Sequence, residues 1–252
     1  MDSKGYRKEL GFSNQSELKT YFKAKDIKQP NWKKISLCNK RLREIFFKLN
    51  TVVSEDIRIE KIDEFCKKIE FAFSIMKENG IIERLNNQGR EPDDVYYNWM
   101  RGYLVCEYFM PSIAKILGIK QENIKHIGKD DLSNIQTFAR AATADLEIPI
   151  SPLKIIRLEV QAGYTGVNDI KQSKILEAKN CYSMDNIESY IVHFDLFNGK
   201  AAIINITNFY RIPESKYHKA FENSNVLSIK EEWFKWNLTE NLKSFEDISI
   251  NI

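Results

Sequence analysis

The chain has 252 residues, 43% of them hydrophobic and 29% charged, with a formal net charge of +3. That is enough to bury a sizeable core, as one large domain or as a core with a smaller appendage. No apolar run approaches the length of a membrane span, and residues 1–10 are polar and charged, which argues against a signal peptide.

The charge is unevenly distributed. Residues 1–50 hold thirteen Lys or Arg against five Asp or Glu, so the remainder is acidic on balance. A basic segment beside an acidic body fits a chain that holds phosphates in one place and a cation in another, although any single run of charge is more often a solvated surface. The four cysteines, Cys38, Cys66, Cys106 and Cys181, form no CxxC pair and no zinc spacing. They read as reduced, mostly buried thiols of a cytosolic protein.

In chain order, the first half reads helical. Ser16–Lys25 is a short amphipathic helix, and Trp32–Leu49 continues the periodicity while carrying Lys33, Lys34, Lys40, Arg41 and Arg43. Over Ile57–Asn79, Ile62, Phe65, Cys66, Ile69, Phe73 and Met76 recur on one face, and Asn79-Gly80 ends the helix. The polar stretch Asn86–Asp94 is a loop and a soft boundary. Asp94–Leu117 is a long aromatic and aliphatic helix that Pro111 should kink or restart and Gly118 should close.

From residue 120 the rhythm changes. Ala144–Ile148 and Lys154–Ala162 read as adjacent strands joined by a Pro-containing turn, and Asp169–Asn180 as a helix. Ser189–Phe197 and Ala201–Asn208 read as strands joined by Asn198-Gly199, a hairpin signal. Val226–Ile229 is one more strand and Lys230–Trp236 a terminal helix. The whole predicts an α/β fold, a mixed sheet flanked by helices, with a helical, basic region over 1–90 and a core with a C-terminal extension over 91–252.

The informative stretch is Thr143–Ile148 followed by Ile155–Gly163. Side chains alternate along a strand, so Arg157, Glu159 and Gln161 share one face and Ile156, Leu158 and Val160 the other. Polar residues on one face can simply meet water. Asp145 on the neighbouring strand changes the argument: two close carboxylates repel and need a cation, a proton or good solvation. A hard divalent ion with oxygen ligands is the usual resolution, and Mg²⁺ keeps several waters while bridging to a phosphate.

Asp145 followed by Glu159-Val160-Gln161 resembles the Asp…(Glu/Asp)-x-Lys signature of the restriction-endonuclease-like nuclease superfamily, over roughly residues 93–208. Gly166–Lys174 and His193–Ala202 also resemble type II restriction enzymes. The resemblance implies a magnesium-dependent endonuclease acting on double-stranded DNA, in which Asp145, Glu159 and the Val160 carbonyl bind Mg²⁺ and Gln161 orients the attacking water or the phosphate. Gln161 stands where most members have lysine. Lys171, ranked first, or Lys174, ranked second, supplies the missing ammonium from the start of the following helix, a helix-surface role being the alternative for both. Glu107 would hydrogen-bond a metal-bound water, the alternative being a helix-pairing acid.

A second set, Asp169 with Glu177-Ala178-Lys179, also spells Asp…Glu-x-Lys. Its helical setting turns Glu177 and Lys179 apart, which favours the first set. His126, His193 and His218 lack ligand spacing, His193 reading as a core or supporting residue. No phosphate-binding glycine loop, GxSxG or HExxH occurs, which disfavours a nucleotide hydrolase and a serine hydrolase. Lys19, Lys23, Lys25, Lys33, Lys34 and Arg41 are candidates for phosphate contacts, and Asn208, Arg211, Lys216 and His218 for base contacts. Cutting both strands of a short site predicts a homodimer. A repair or recombination nuclease on the same core and a non-catalytic DNA-binding protein are the rival expectations.

Overall fold

The computed structural model describes residues 2–12, 14–22, 29–85, 90–128, 130, 132, 135, 138, 144–152, 154–220 and 224–251. Helices come first. α1 (Ser3–Leu10) and α2 (Gln15–Phe22) precede α3 (Trp32–Val52), whose Asn31 cap accepts from the Lys34 N–H and whose Ile35, Cys38, Leu42 and Phe46 form its buried stripe. α4 (Ile62–Glu78) buries Phe65, Cys66, Ile69, Ala72 and Met76 on one face, and the short α5 (Ile81–Arg84) follows. α6 (Pro92–Ile116) is buried almost all round, as a helix covered by neighbours on one side and a sheet on the other must be.

Ten strands and two further helices complete the described fold. The main sheet runs in the order β1 (Lys125–His126), β2 (Leu146–Ser151), β3 (Lys154–Gly163), β5 (Glu188–Asp195), β6 (Lys200–Asn205) and β10 (Ser249–Ile250), with β9 (Trp236–Asn237) also on β6. β3 and β5 are parallel, and the crossover between them carries β4 (Asp169–Lys171) and α7 (Gln172–Asp185). β4 joins β8 (Asn225–Ser228) and β7 (His218–Lys219) in a second small sheet. α8 (Phe245–Ile248) leads into β10.

Strand alternation divides the core between the two faces of the main sheet. Ile156, Leu158, Val192, Phe194, Ala201 and Ile203 pack with α3, α4 and α6, where Phe109 stacks on Phe194 at 3.9 Å. Ile191, Ala202 and Ile204 pack on the other side with Ile175 and Ala178 of α7 and with Ile170 and Leu227. α3, α4 and α5 thus share one apolar core with α6 and the sheet. The four cysteines are buried and unpaired, and among the described residues no helix is long and apolar enough to cross a membrane.

Several boundaries differ from the periodicity. Residues 3–10 are helical although their polarity signals nothing. Residues 57–61 are not helical, because the Asn50 side chain claims both the N–H and the carbonyl of Ile59. α6 continues through Pro111 as one helix, with the proline exposed. Asp169–Lys171 is a strand on β8 rather than the start of a helix. Lys230–Trp236 is a single helical turn, Glu231–Trp233, followed by β9, because pairing with β6 and burial of Trp236 against Phe194 outweigh local helical preference.

β5 ends in a buried polar cluster. His193 is 4% exposed, its Nε2 meets Asn168 Oδ1 at 2.8 Å, and burial pushes its pKa down to about 4 against the pull of Asp195 and Asp169. The unfolded histidine takes a proton near pH 6.5 while the folded one stays neutral, so this residue makes stability rise with pH between about 4 and 6.5. Urea unfolding of wild type and His193→Gln across that window should show the wild type losing up to roughly 3 kcal/mol more than the variant as pH falls. Parallel curves for the two proteins would refute the assignment.

Candidate metal centre and cleft

β2 and β3 are antiparallel, with Leu146 opposite Leu158 and Glu147 opposite Arg157, so one step further along the same register Asp145 meets Glu159. The junction is closed by a hydrogen bond in which the Val160 N–H donates to Asp145 Oδ2 at 2.7 Å. The Ile127 N–H donates to the Asp145 carbonyl from the β1 side, so the backbone of Asp145 is held as well. Glu159 faces α7, where Lys174 Nζ lies 2.7 Å from its Oε2, the two side chains being 12% and 16% exposed. Gln161 hydrogen-bonds the same carboxylate.

The electrostatics follow from burial. Loss of water raises the pKa of Asp145 above the ordinary carboxylate range, opposed by the Val160 N–H and by Lys174. Glu159 is raised further, by burial first and by the Asp145 charge second, with Lys174 and Gln161 opposing. One lysine against two buried carboxylates leaves an excess of negative charge that favours a retained proton or a cation.

Asp145 and Val160 line a cleft of about 410 Å³ together with Lys68, Glu107, His126 and Asp130. Glu107 is 13% exposed and held by Lys68 at 2.8 Å and His126 at 3.2 Å, and these partners lower its pKa despite burial. Trp99 and Tyr103, stacked at 5.3 Å, form the aromatic wall. Lys68 and His126 belong to the cleft although no motif marks them, since they come from α4 and the edge strand β1, far from Asp145 in sequence.

The structure brings together Asp145, Glu159, Val160, Gln161 and Lys174, with Glu107 on the opposite wall. Lys171, placed first by sequence order, is exposed on β4 and pairs in register with Val226; one turn into α7, Lys174 is the lysine on Glu159. The second set disperses. Asp169 accepts from Ser228 Oγ at 2.8 Å, Glu177 lies 4.0 Å from Arg157, and Lys179 sits over the Tyr210 ring. Among the basic candidates, Lys19, Lys33, Arg41, Arg211 and Lys216 are exposed, whereas Lys34 is already balanced by Asp93 at 2.6 Å and Asp94 at 2.7 Å. Lys23 and Lys25 lie outside the described residues. Asn208 is exposed, and His218 lies 3.7 Å from Asp169.

A hard divalent cation suits this set in charge and donor type: two carboxylates and the backbone of Val160 offer oxygen, and the surplus charge is negative. Among the described residues no three His, Cys, Asp or Glu side chains form a metal-binding group by themselves.

No protein family matches the chain, and no curated protein matches it. Among solved structures, the Holliday junction resolvase Hjc of Archaeoglobus fulgidus superposes with a TM-score of 0.29 at 11% identity, covering 50% of this chain and 87% of that one. A superposition at that score assigns no function.

The raised carboxylates have a consequence for stability. A group whose pKa is higher folded than unfolded stabilises the protein at low pH and loses that contribution as pH rises through the folded value. In cation-free buffer, Asp145→Asn keeps an acceptor for the Val160 N–H and removes the repulsion. It should therefore be more stable than wild type by roughly 1–3 kcal/mol at pH 8, with the gap closing towards pH 4. Equal melting curves at pH 8 would show that the pair is not strained.

Proposed function

We propose that this chain is a magnesium-dependent endonuclease that hydrolyses double-stranded DNA, of the type II restriction class. The observation that carries this reading is the Asp145–Val160–Glu159 junction with Lys174 on Glu159, set at an open cleft. Metal-assisted phosphodiester hydrolysis requires acidic oxygen donors converging at a point a phosphate can reach, with a cation nearby to neutralise transition-state charge.

In this reading Asp145, Glu159 and the Val160 carbonyl hold Mg²⁺, whose chemistry when bound is polarisation of the scissile phosphate and acidification of the attacking water. Gln161 holds that water or a phosphate oxygen through its amide. Lys174 supplies the ammonium that the Gln161 position lacks, opposes through a charge-assisted hydrogen bond the burial that favours a protonated Glu159, and offsets charge as the phosphorane-like transition state forms. Glu107, oriented by Lys68 and His126, accepts a hydrogen bond from water in the cleft. Lys19, Lys33 and Arg41 contact phosphates, and Arg211 and Lys216 reach towards base edges. Two copies acting together would match a twofold-symmetric target.

Incubation of phage DNA with the protein and Mg²⁺, followed by sequencing of the ends, tests the function. Defined fragments with a common end sequence are expected; nicks confined to junctions or lesions would instead identify a repair nuclease, and no cleavage with Mg²⁺ or Mn²⁺ would leave only DNA binding. Alanine at Asp145 or Glu159 should lower the cleavage rate by about a thousandfold or more, and Lys174→Ala by about a hundredfold. Lys171→Ala and Glu177→Ala should cut at near wild-type rate; if Glu177→Ala alone abolishes cutting, the site is misplaced.

A further inference from the structure

Two turns leave the carboxyl ends of the parallel strands β3 and β5, residues 164–168 and 196–199. A buried polar network binds them into one unit. Asn168 Nδ2 donates to Asp195 Oδ2 at 2.8 Å, and its Oδ1 meets His193 Nε2 at the same distance. The Asn198 backbone N–H and Nδ2 donate to the fully buried Asp195 at 3.1 and 2.7 Å, and the Leu196 N–H donates to the Gly163 carbonyl at 3.0 Å. Gly163 is required beneath them, since a Cβ there would lie 2.7 Å from Asn168 Oδ1. At Gly166, φ is +76° and a Cβ would lie 3.5 Å from the Phe197 ring, so the two turns touch.

This pinned unit presents two apolar side chains to solvent: Val167 is 65% and Phe197 69% exposed. Burying a carboxylate costs free energy unless it is well satisfied, and the three hydrogen bonds that Asn168 and Asn198 give Asp195, with the His193 Nε2–Asn168 contact, hold the two exposed tips in fixed relation. Where the first turn leaves β3, the Arg101 guanidinium lies 4.0 Å over the Tyr164 ring and donates to Asn98 at 3.1 Å. Asn98 and Gly102 line the same cleft as Asp145. The surface therefore runs from the carboxylates, through a cation, to an apolar edge. A guanidinium suits a backbone phosphate, and a rigid apolar edge suits the gap between stacked base pairs.

We propose that Val167 and Phe197 form a wedge that enters the base stack of duplex DNA beside the scissile phosphate, with Arg101 on a neighbouring phosphate. The proposal rests on the nuclease reading for the position of the scissile bond, but the wedge has its own readout. Cleavage of phage DNA in Mg²⁺ is compared for wild type, Phe197→Ala and Val167→Ser. In parallel, duplexes with 2-aminopurine at successive positions are bound by Asp145→Asn and by Asp145→Asn/Phe197→Ala, using the mapped cut site or, if nothing is cut, a mixed sequence. The expected result is a several-fold rise in 2-aminopurine fluorescence with Asp145→Asn, lost with the double variant, and a KM for cleavage raised about tenfold in Phe197→Ala with melting temperature unchanged. Fluorescence that does not change on binding, or that changes equally without Phe197, overturns the wedge while leaving the nuclease intact. A Phe197-dependent signal from a protein that cuts nothing overturns the nuclease and keeps the wedge.

Discussion

The hydrogen bond from the Val160 N–H to Asp145 is the contact on which the site depends. It caps the end of the β2–β3 pairing, and in doing so it holds one carboxylate in register with another. Placing two like charges side by side away from bulk water is unfavourable, and a fold retains such a pair only when the surrounding structure compels it. Here the compulsion comes from both sides: the Ile127 N–H fixes the Asp145 backbone, and β3 is held by β2 over Lys154–Leu158 and by β5 over Ile156–Gly163. The strain is local, and the apolar core on both sheet faces supplies the stability that holds it.

The surrounding charges are arranged asymmetrically about that pair. Lys174 approaches from the α7 face and meets Glu159 alone. On the α6 face Lys68 and His126 are spent on Glu107, across the cleft from Asp145. Of the pair, Asp145 thus has the less direct cationic support, and of the two it is the one that lines the cleft. That difference sets the two carboxylates apart, Glu159 being anchored by Lys174 and Asp145 facing the cleft. The parallel crossover makes this possible, because it returns the chain along the face of β3 and lays the first turn of α7 over Glu159.

The site and the polar network beyond it share β3 as a common support. Glu159 and Gln161 precede Gly163 by a few residues, and Gly163 carries the turn that Asn168 pins to β5. The stretches Gly166–Lys174 and His193–Ala202, separate in the chain, are two halves of one packed unit.

Much was legible in the sequence because its signals are local. Alternation along Ile155–Ala162 gave the strand and its acidic face, three-to-four spacing gave the buried stripe of α4, helical periodicity gave α3, the aromatic and aliphatic richness of residues 94–117 gave α6, and Asn198-Gly199 gave the hairpin. The pairing of Asp145 with Glu159 was also within reach, since adjacent antiparallel strands joined by a short turn have few alternative registers. Tertiary structure alone decided what depends on distant partners. Which lysine serves Glu159 was settled by the strand pairing of Asp169–Lys171 with β8, which turns Lys171 outward and starts the helix one residue later. The assignment of Lys34 to Asp93 and Asp94, the placing of Lys68 and His126 in the cleft, and the recruitment of Trp236 into a strand follow from the same cause. Local periodicity records which face of an element is buried, whereas the partner it meets there is chosen by contacts between segments far apart in the chain, to which no short stretch of sequence bears witness.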